Sequence, residues 1–296
     1  MNAGCHEEDY RRVVEGVGPA RLLPGSCVEV VHRLERLGPP RHVLFDFDGT
    51  LSLIRQGWPE VMVPMMVEVL QATGTGESPQ ALHELVFEFV MQLNGKQTIY
   101  QMIRLAEEVR KRGGRPEEPL RYKQVYHDRL MQRIAGRRDA LRCGRTAPED
   151  MLVPYSLEIL GELRRRGVQL YLASGTDEPY VLEEARLLGL DRYFGPHIYG
   201  ARDDYMTYSK AKVIRRILSR NRVEGGSLLG FGDGYVEVQN VKSVGGTAVA
   251  VASDEAGRSG RPDAWKRDRL IGVGADLVIP DYRDWQVLLD FLWNET

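Results

Sequence analysis

The sequence predicts an α/β fold: a mostly parallel sheet with helices on both faces, interrupted after an early strand by an all-helical insert. Three observations carry this. After Pro154, short apolar runs at Val168–Ala173, Ser227–Phe231 and Thr247–Ala252 alternate with segments of helical periodicity, the pattern of strands joined by crossover helices. A further run, His42-Val43-Leu44-Phe45, stands far upstream and ends abruptly at an acid, as a buried parallel strand does at its carboxyl end. Between the two lies a stretch without any strand signal, from Trp58 to Asp150, whose apolar residues recur at helical spacing.

Taken in order, residues 1–40 read as a helical extension. Pro24 opens a helix, Gly38 closes it, and Val28, Val31, Leu34 and Leu37 form its apolar face. Pro39-Pro40 then forces an extended approach to the strand at His42. The insert, residues 58–150, reads as about four helices through VMVPMMVEVL, LHELVFEFVMQL, IYQMIRLAEEV and YKQVYHDRLMQRI. Breakers separate them at Thr73 to Pro79, at Asn94-Gly95 and at Gly113 to Pro119. Met62, Met65 and Met66 read as core packing. Beyond Pro154 the expected elements are a strand at Val168–Ala173, a helix over Pro179–Leu188 and a weaker strand at His197–Tyr199. A helix over Lys210–Ser219, strands at Ser227–Phe231, Thr247–Ala252 and Leu277–Ile279, and a closing helix at Trp285–Leu292 follow. Residues 41–57 and 151–296 thus form one discontinuous core, and the insert is placed to close over the end of its first strand.

Composition narrows the function classes. The chain has 296 residues, 43% apolar and 28% charged, with 40 basic against 42 acidic side chains and a net charge of -2. Such a balance offers no overall field for nucleic acid or an anionic membrane. Cys5, Cys27 and Cys143 show no paired spacing, which argues against a disulfide framework or zinc site and for a reducing, cytoplasmic setting. The polar, acidic start MNAGCHEEDY does not read as a signal peptide. No apolar run approaches the ~18 residues of a membrane span.

Chemistry is expected beyond the carboxyl ends of the strands. Asp46 and Asp48 follow the first strand, and Gly49-Thr50 turns the chain away. Two acids there are costly unless a cation or a reaction uses them, although Asp-Gly is also ordinary turn chemistry. Ser174-Gly175-Thr176 follows the next strand and precedes a helix start; a hydroxyl and open amides there make either an anion pocket or a simple helix cap. Asp233 follows a later strand, with Glu237 four residues on. Oxygen donors of this kind suit Mg²⁺. Lys210, at a helix start, is placed to neutralise an acidic nucleophile and a phosphate; Lys212 remains an alternative.

Together, FDFDGT, ASGT, SKAKVI and GDGYVE, in that order, resemble the motifs of the haloacid dehalogenase superfamily. The resemblance is to its phosphatase branch with a helical cap, near the phosphoglycolate phosphatases and β-phosphoglucomutases, and runs from Arg41 to the carboxyl end. It implies a Rossmann-like three-layer core with an inserted cap. It also implies Asp46 as nucleophile, Asp48 as general acid and base, and Thr50, Ser174, Gly175 and Lys210 as phosphate-binding residues. Mg²⁺ would lie on Asp46, the Asp48 carbonyl and Asp233; Glu237 joins the candidate metal set, but stands where many members have Asp, so its direct ligation is left open. The implied reaction is hydrolysis of a small phosphorylated metabolite, phosphosugar-like, through an aspartyl phosphate. A sugar phosphomutase and a phosphometabolite-binding module are the alternatives. Lys96 and Gln97, at a break in the insert, are candidate substrate contacts or else part of a polar turn; Arg55 and Gln56 are further candidates. Arg133, Arg137, Arg138, Arg142 and Arg145 read as a solvated face, with contact to a second anionic group as the alternative.

Overall fold

Every residue of the strand His42–Phe45 is buried because the segment lies inside a sheet covered on both faces. The computed structural model describes residues 9–14, 21–32, 34, 38–202 and 208–294. In chain order it begins with β1 (Arg21–Leu22), β2 (Glu29–Val30) and β3 (His42–Phe45). Four helices follow: α1 (Pro59–Gln71), α2 (Pro79–Gln92), α3 (Thr98–Lys111) and α4 (Pro119–Arg142). The chain then returns through α5 (Ser156–Arg165), β4 (Gln169–Asp177), α6 (Glu178–Leu187), α7 (Asp191–Phe194) and β5 (Ile198–Ala201). Next come α8 (Lys210–Asn221), β6 (Leu228–Gly232), α9 (Tyr235–Ser243) and β7 (Thr247–Val251). It closes with α10 (Ala264–Gly272), β8 (Leu277–Ile279) and α11 (Trp285–Trp293).

The strands form one sheet in the order β1-β2-β8-β7-β6-β3-β4-β5. β3 lies between β4 and β6 and runs parallel to both, with Val43 opposite Leu170 on one side and Leu229 on the other. Side chains of a strand alternate between faces, and here they feed two cores. Val43 and Phe45 join the cluster containing Ile159, Val181 and Leu289. Leu44 joins Ile214, Val238 and Leu270 on the opposite face. This is a Rossmann-like, three-layer α/β core carrying a helical cap between β3 and α5.

Within the cap, α1, α2 and α4 each begin with proline, where the missing amide costs nothing because first-turn amides lack a helical partner. Ser78 caps α2 by accepting from the Ala81 amide at 3.2 Å. Met62, Met65 and Met66 are buried in the core. Among the described residues no helix is long and apolar enough to cross a membrane.

The expected helix from Pro24 to Gly38 is replaced by an antiparallel hairpin. β1 pairs with β2, and β2 pairs with β8; residues 1–8, 15–20, 33 and 35–37 lie outside the described residues. The cause is local and tertiary together. Pro24-Gly25, with Gly25 at φ +70°, makes a tight turn closed by Leu23 N–H to Val28 O at 2.9 Å. The edge of β8 then satisfies the β2 backbone, which a short isolated helix could not outbid. α5, α7, α9 and α10 are elements that the apolar pattern left unassigned.

Phe45 closes β3 beneath the acids. Its ring stacks on Phe231 at 4.7 Å and meets Phe194 and Tyr282 edge-on. Phe45→Ala is expected to cost about 3–5 kcal/mol, read as a shift in urea midpoint at unchanged slope.

Candidate active site

Asp46 is the first residue past β3, and its amide still bonds to Phe231 O at 2.9 Å, so the sheet itself aims the residue. The chain then turns tightly. Gly49, at φ +73°, permits the turn, and a Cβ there would lie 2.2 Å from Asp233 Oδ2. Only glycine lets the β6 loop come this close. One cavity is lined by Asp46, Asp48, Ser174, Gly175, Thr176, Lys210 and Asp233 from the core, and by residues of the cap. The structure therefore brings the loops after β3 and β6 and the carboxyl-terminal end of β4 together with the start of α8.

Lys210 is the lysine at this site. Ser209 caps α8 by accepting from the Lys212 amide at 3.2 Å, which fixes the first turn so that Lys210 Nζ reaches Asp46 Oδ1 at 2.8 Å. Glu237, a candidate metal ligand by sequence, has its carboxylate against the same ammonium, and it is 2% exposed beneath Gly232 and Gly234. It supports the lysine and does not line the cavity. Thr50 likewise differs from its expected role as a phosphate contact. Fully buried, it accepts from the Asp233 amide at 2.9 Å, and its carbonyl accepts from Tyr282 Oη at 2.9 Å; it is a strut between two loops.

Asp48 faces the cavity with Oδ2 accepting from Thr176 Oγ1 at 2.7 Å and lying 3.4 Å from Ser174 Oγ. Its Oδ1 is buried without a hydrogen-bond partner among the described residues. Enclosure pushes the Asp48 carboxyl up to about 7, against the opposing pull of Arg55. Burial raises Asp46 as well; Lys210 works against the rise and Asp233 adds to it.

Behind Asp48 stands a buried ion pair absent from the sequence reading. Arg55, from the linker into the cap, meets Glu184 of α6 in a two-pronged contact, Nε–Oε2 at 3.0 Å and Nη2–Oε1 at 2.8 Å. Arg55 Nε lies 3.9 Å from Asp48 Oδ1. Arg137 grips the same linker through Ile54 O and Gln56 O at 2.8 and 2.7 Å. Arg133 pairs with Glu60, and Arg138 and Arg142 pair with Glu183, so these cap arginines hold elements together and none lines the cavity.

The cap loop at Asn94–Gln97 rests directly on the core. A Cβ on Gly95 would lie 3.2 Å from Gly234 Cα, and one on Gly175 would lie 2.9 Å from Lys96 O. Gln97 donates to Tyr208 O at 2.9 Å; it tethers the loop and does not line the cavity. Lys96 does line it, with Nζ paired to Asp9 Oδ1 at 2.5 Å. Gln56, Trp58, Met62, Thr98, Gln101 and Tyr126 complete the cap wall.

Sequence reasoning missed Glu184, Ser253, Glu255 and Lys266, and read Thr176 only as part of the turn after the strand or as a helix cap. Thr176 stood beside Ser174 and was legible as a second hydroxyl. Lys266, in the first turn of α10, reaches Asp233 Oδ2 at 2.9 Å and Glu255 Oε1 at 2.7 Å, and these acids hold it in the charged form against burial. No local signal marks it.

A hard divalent cation fits the donor set. Among the described residues no three His, Cys, Asp or Glu side chains form a ready-made metal cage. Mg²⁺ needs none, since it is commonly bound through one or two carboxylates and keeps several waters. Asp46 and Asp233 are close enough for the charge of Asp233 to hinder ionisation of Asp46, a repulsion that a cation between them would offset.

The model of the haloacid dehalogenase-like hydrolases matches residues 40–245. The chain belongs to this family. No curated protein matches the sequence. Among solved structures it is similar to a haloacid dehalogenase-like protein of unknown function from Agrobacterium tumefaciens str. C58, at 17% identity and TM-score 0.54, covering 86% of this chain and 99% of that one. It is also similar to a β-phosphoglucomutase from Clostridium difficile, at 12% identity and TM-score 0.56, covering 86% and 98%. A third is a predicted phosphoglycolate phosphatase from Haemophilus somnus 129pt, at 17% identity and TM-score 0.53, covering 85% and 99%. At such identities the likeness establishes the fold.

Two predictions follow from this geometry. Removing one partner of a buried ion pair strands the other charge, so Arg55→Met is expected to cost about 3–5 kcal/mol. The double variant Arg55→Met/Glu184→Leu should recover most of that in a urea double-mutant cycle. Between the ordinary aspartate range and about 7, the folded metal-free chain holds a proton on Asp48 that the unfolded chain has released. Stability in EDTA should therefore fall as pH rises from 4 through 7, and Asp48→Asn should flatten that slope in urea titrations at a series of pH values.

Proposed function

We propose that this haloacid dehalogenase-like hydrolase is a Mg²⁺-dependent phosphatase that cleaves small phosphate monoesters through an aspartyl phosphate on Asp46. The observation that carries the reading is the buried contact of Lys210 Nζ with Asp46 Oδ1 at 2.8 Å, with Asp48 facing the same cavity. A lysine held there opposes the rise that burial imposes on Asp46 and attracts a phosphate to it.

In the first step an oxygen of Asp46 attacks phosphorus in line, forming an acyl–phosphate bond as the ester oxygen departs. Asp48, whose carboxyl is held near 7, gives its proton to the leaving alkoxide. In the second step Asp48 takes a proton from water, which attacks the phosphoryl group, releases phosphate and regenerates Asp46. One residue can serve both steps because its pKa lies close to working pH. Ser174 Oγ, the Gly175 amide and Lys210 Nζ bind the non-bridging oxygens. Asp46, Asp233 and the Asp48 carbonyl would hold Mg²⁺, which when bound would supply charge neutralisation and polarisation of the phosphoryl group.

The leaving group faces Arg55, Gln56, Lys96 and Gln101 alongside Trp58, Met62 and Tyr126. A mixed polar wall under a cap suits a small hydroxylated metabolite, phosphosugar-like, and not a macromolecule.

Purified protein with Mg²⁺ is expected to release inorganic phosphate from members of a metabolite phosphate panel, and Asp46→Asn should lower kcat/KM by about 10⁴-fold or more. Absence of Mg²⁺-dependent release from every ester would sink the reading. Isomerisation of a sugar phosphate without free phosphate would replace it with a mutase.

A further inference from the structure

The carboxylates assigned above to the cation each already carry a lysine. Lys210 contacts Asp46, and Lys266 contacts Asp233. The first pairing is accounted for by the phosphate chemistry; the second is not. Lys266 Nζ has three acceptors around it: Asp233 Oδ2 at 2.9 Å, Glu255 Oε1 at 2.7 Å and Ser253 Oγ at 3.1 Å. That number equals its donor capacity. The side chain is 11% exposed, so water screens the contact little.

The oxygen that Lys266 takes is the informative one. Asp233 Oδ1 is turned toward Thr50 Oγ1 at 3.4 Å, while Oδ2 lies over Gly49, beside the catalytic turn. Ser253 also donates to Gly49 O at 2.6 Å, tying the lysine's third acceptor to the same turn. An ammonium at Oδ2 therefore stands against a carboxylate oxygen that faces the nucleophile loop at Gly49.

We infer that Lys266 is a built-in counter-cation at Asp233, whose charge weakens binding of a divalent cation there and keeps the acidic loops assembled without one. The inference rests on the proposed assignment of Asp46 and Asp233 to Mg²⁺. The sign follows from the charges: two carboxylates, Asp233 and Glu255, face one ammonium, leaving the trio at −1. Neutralising the lysine would leave −2, a stronger attractor for a dication. Neutralising Glu255 would leave the trio uncharged, a weaker one.

Titration calorimetry of the full chain with MgCl₂ alone tests this without reference to turnover. Lys266→Met is expected to tighten the Mg²⁺ Kd by about tenfold or more, and Glu255→Gln to weaken it by about threefold or more. Lys266→Arg, which keeps the charge, should stay within about threefold of the parent. A Lys266→Met protein with unchanged or weaker affinity overturns the inference while leaving the metal assignment standing. If that variant fails to fold, Glu255→Gln decides alone, and unchanged or tighter binding there overturns it equally. A parent chain that binds no Mg²⁺ removes the assignment itself, and the inference with it.

Discussion

The site depends on the ion pair between Lys210 and Asp46. A carboxylate at the end of a fully buried strand loses most of its hydration, which favours its protonated form, and a nearby positive charge opposes that. The lysine supplies that charge, and the architecture around it keeps the lysine in place. Ser209 fixes the first turn of α8, and Glu237 backs the ammonium from beneath. The same solution is used twice more around the cavity, at Arg55 with Glu184 and at Lys266 with Asp233. In each of these three pairs a cation from a different element meets the acid, so charge helps to hold the site together where the sheet no longer provides hydrogen bonds.

Much of this was legible along the chain because strand ends mark themselves. An apolar run that stops at an acid, a hydroxyl or a Gly-Asp pair locates a crevice residue, and Asp46, Asp48, Ser174 and Asp233 all line one cavity. Lys210 could be placed by the apolar stripe that follows it, and the burial of Val213, Ile214 and Ile217 shows why. What was not legible is pairing through space. Glu184 reads as one more charge on an amphipathic helix, yet it is fully buried because Arg55 arrives from a distant linker. Lys266 lies in a short, polar helix whose pattern gave no reason to expect an element at all.

The amino-terminal hairpin shows the opposite error. Apolar residues spaced three apart suggested a helix, but a proline–glycine pair inside the segment and an open sheet edge outside it favoured strands. Periodicity describes what a segment could bury, and only the rest of the chain determines against what. Thr50 and Gln97 teach a related lesson. Both are polar and stand next to site residues, and both are spent on bracing loops.

Where the cap loop Asn94–Gln97 meets the core, the closest approach is backbone on backbone, with Gly95 over Gly234 and Lys96 O over Gly175. Side chains hold the seam elsewhere, through Lys123 with Asp177 and Arg138 and Arg142 with Glu183, while at this loop the fit is set by the absence of a Cβ. A single methyl group at Gly95 or Gly175 would act as a shim, holding the lid ajar and admitting water while leaving every reactive group intact. Two residues with no functional groups thereby set how closely this loop sits on the core.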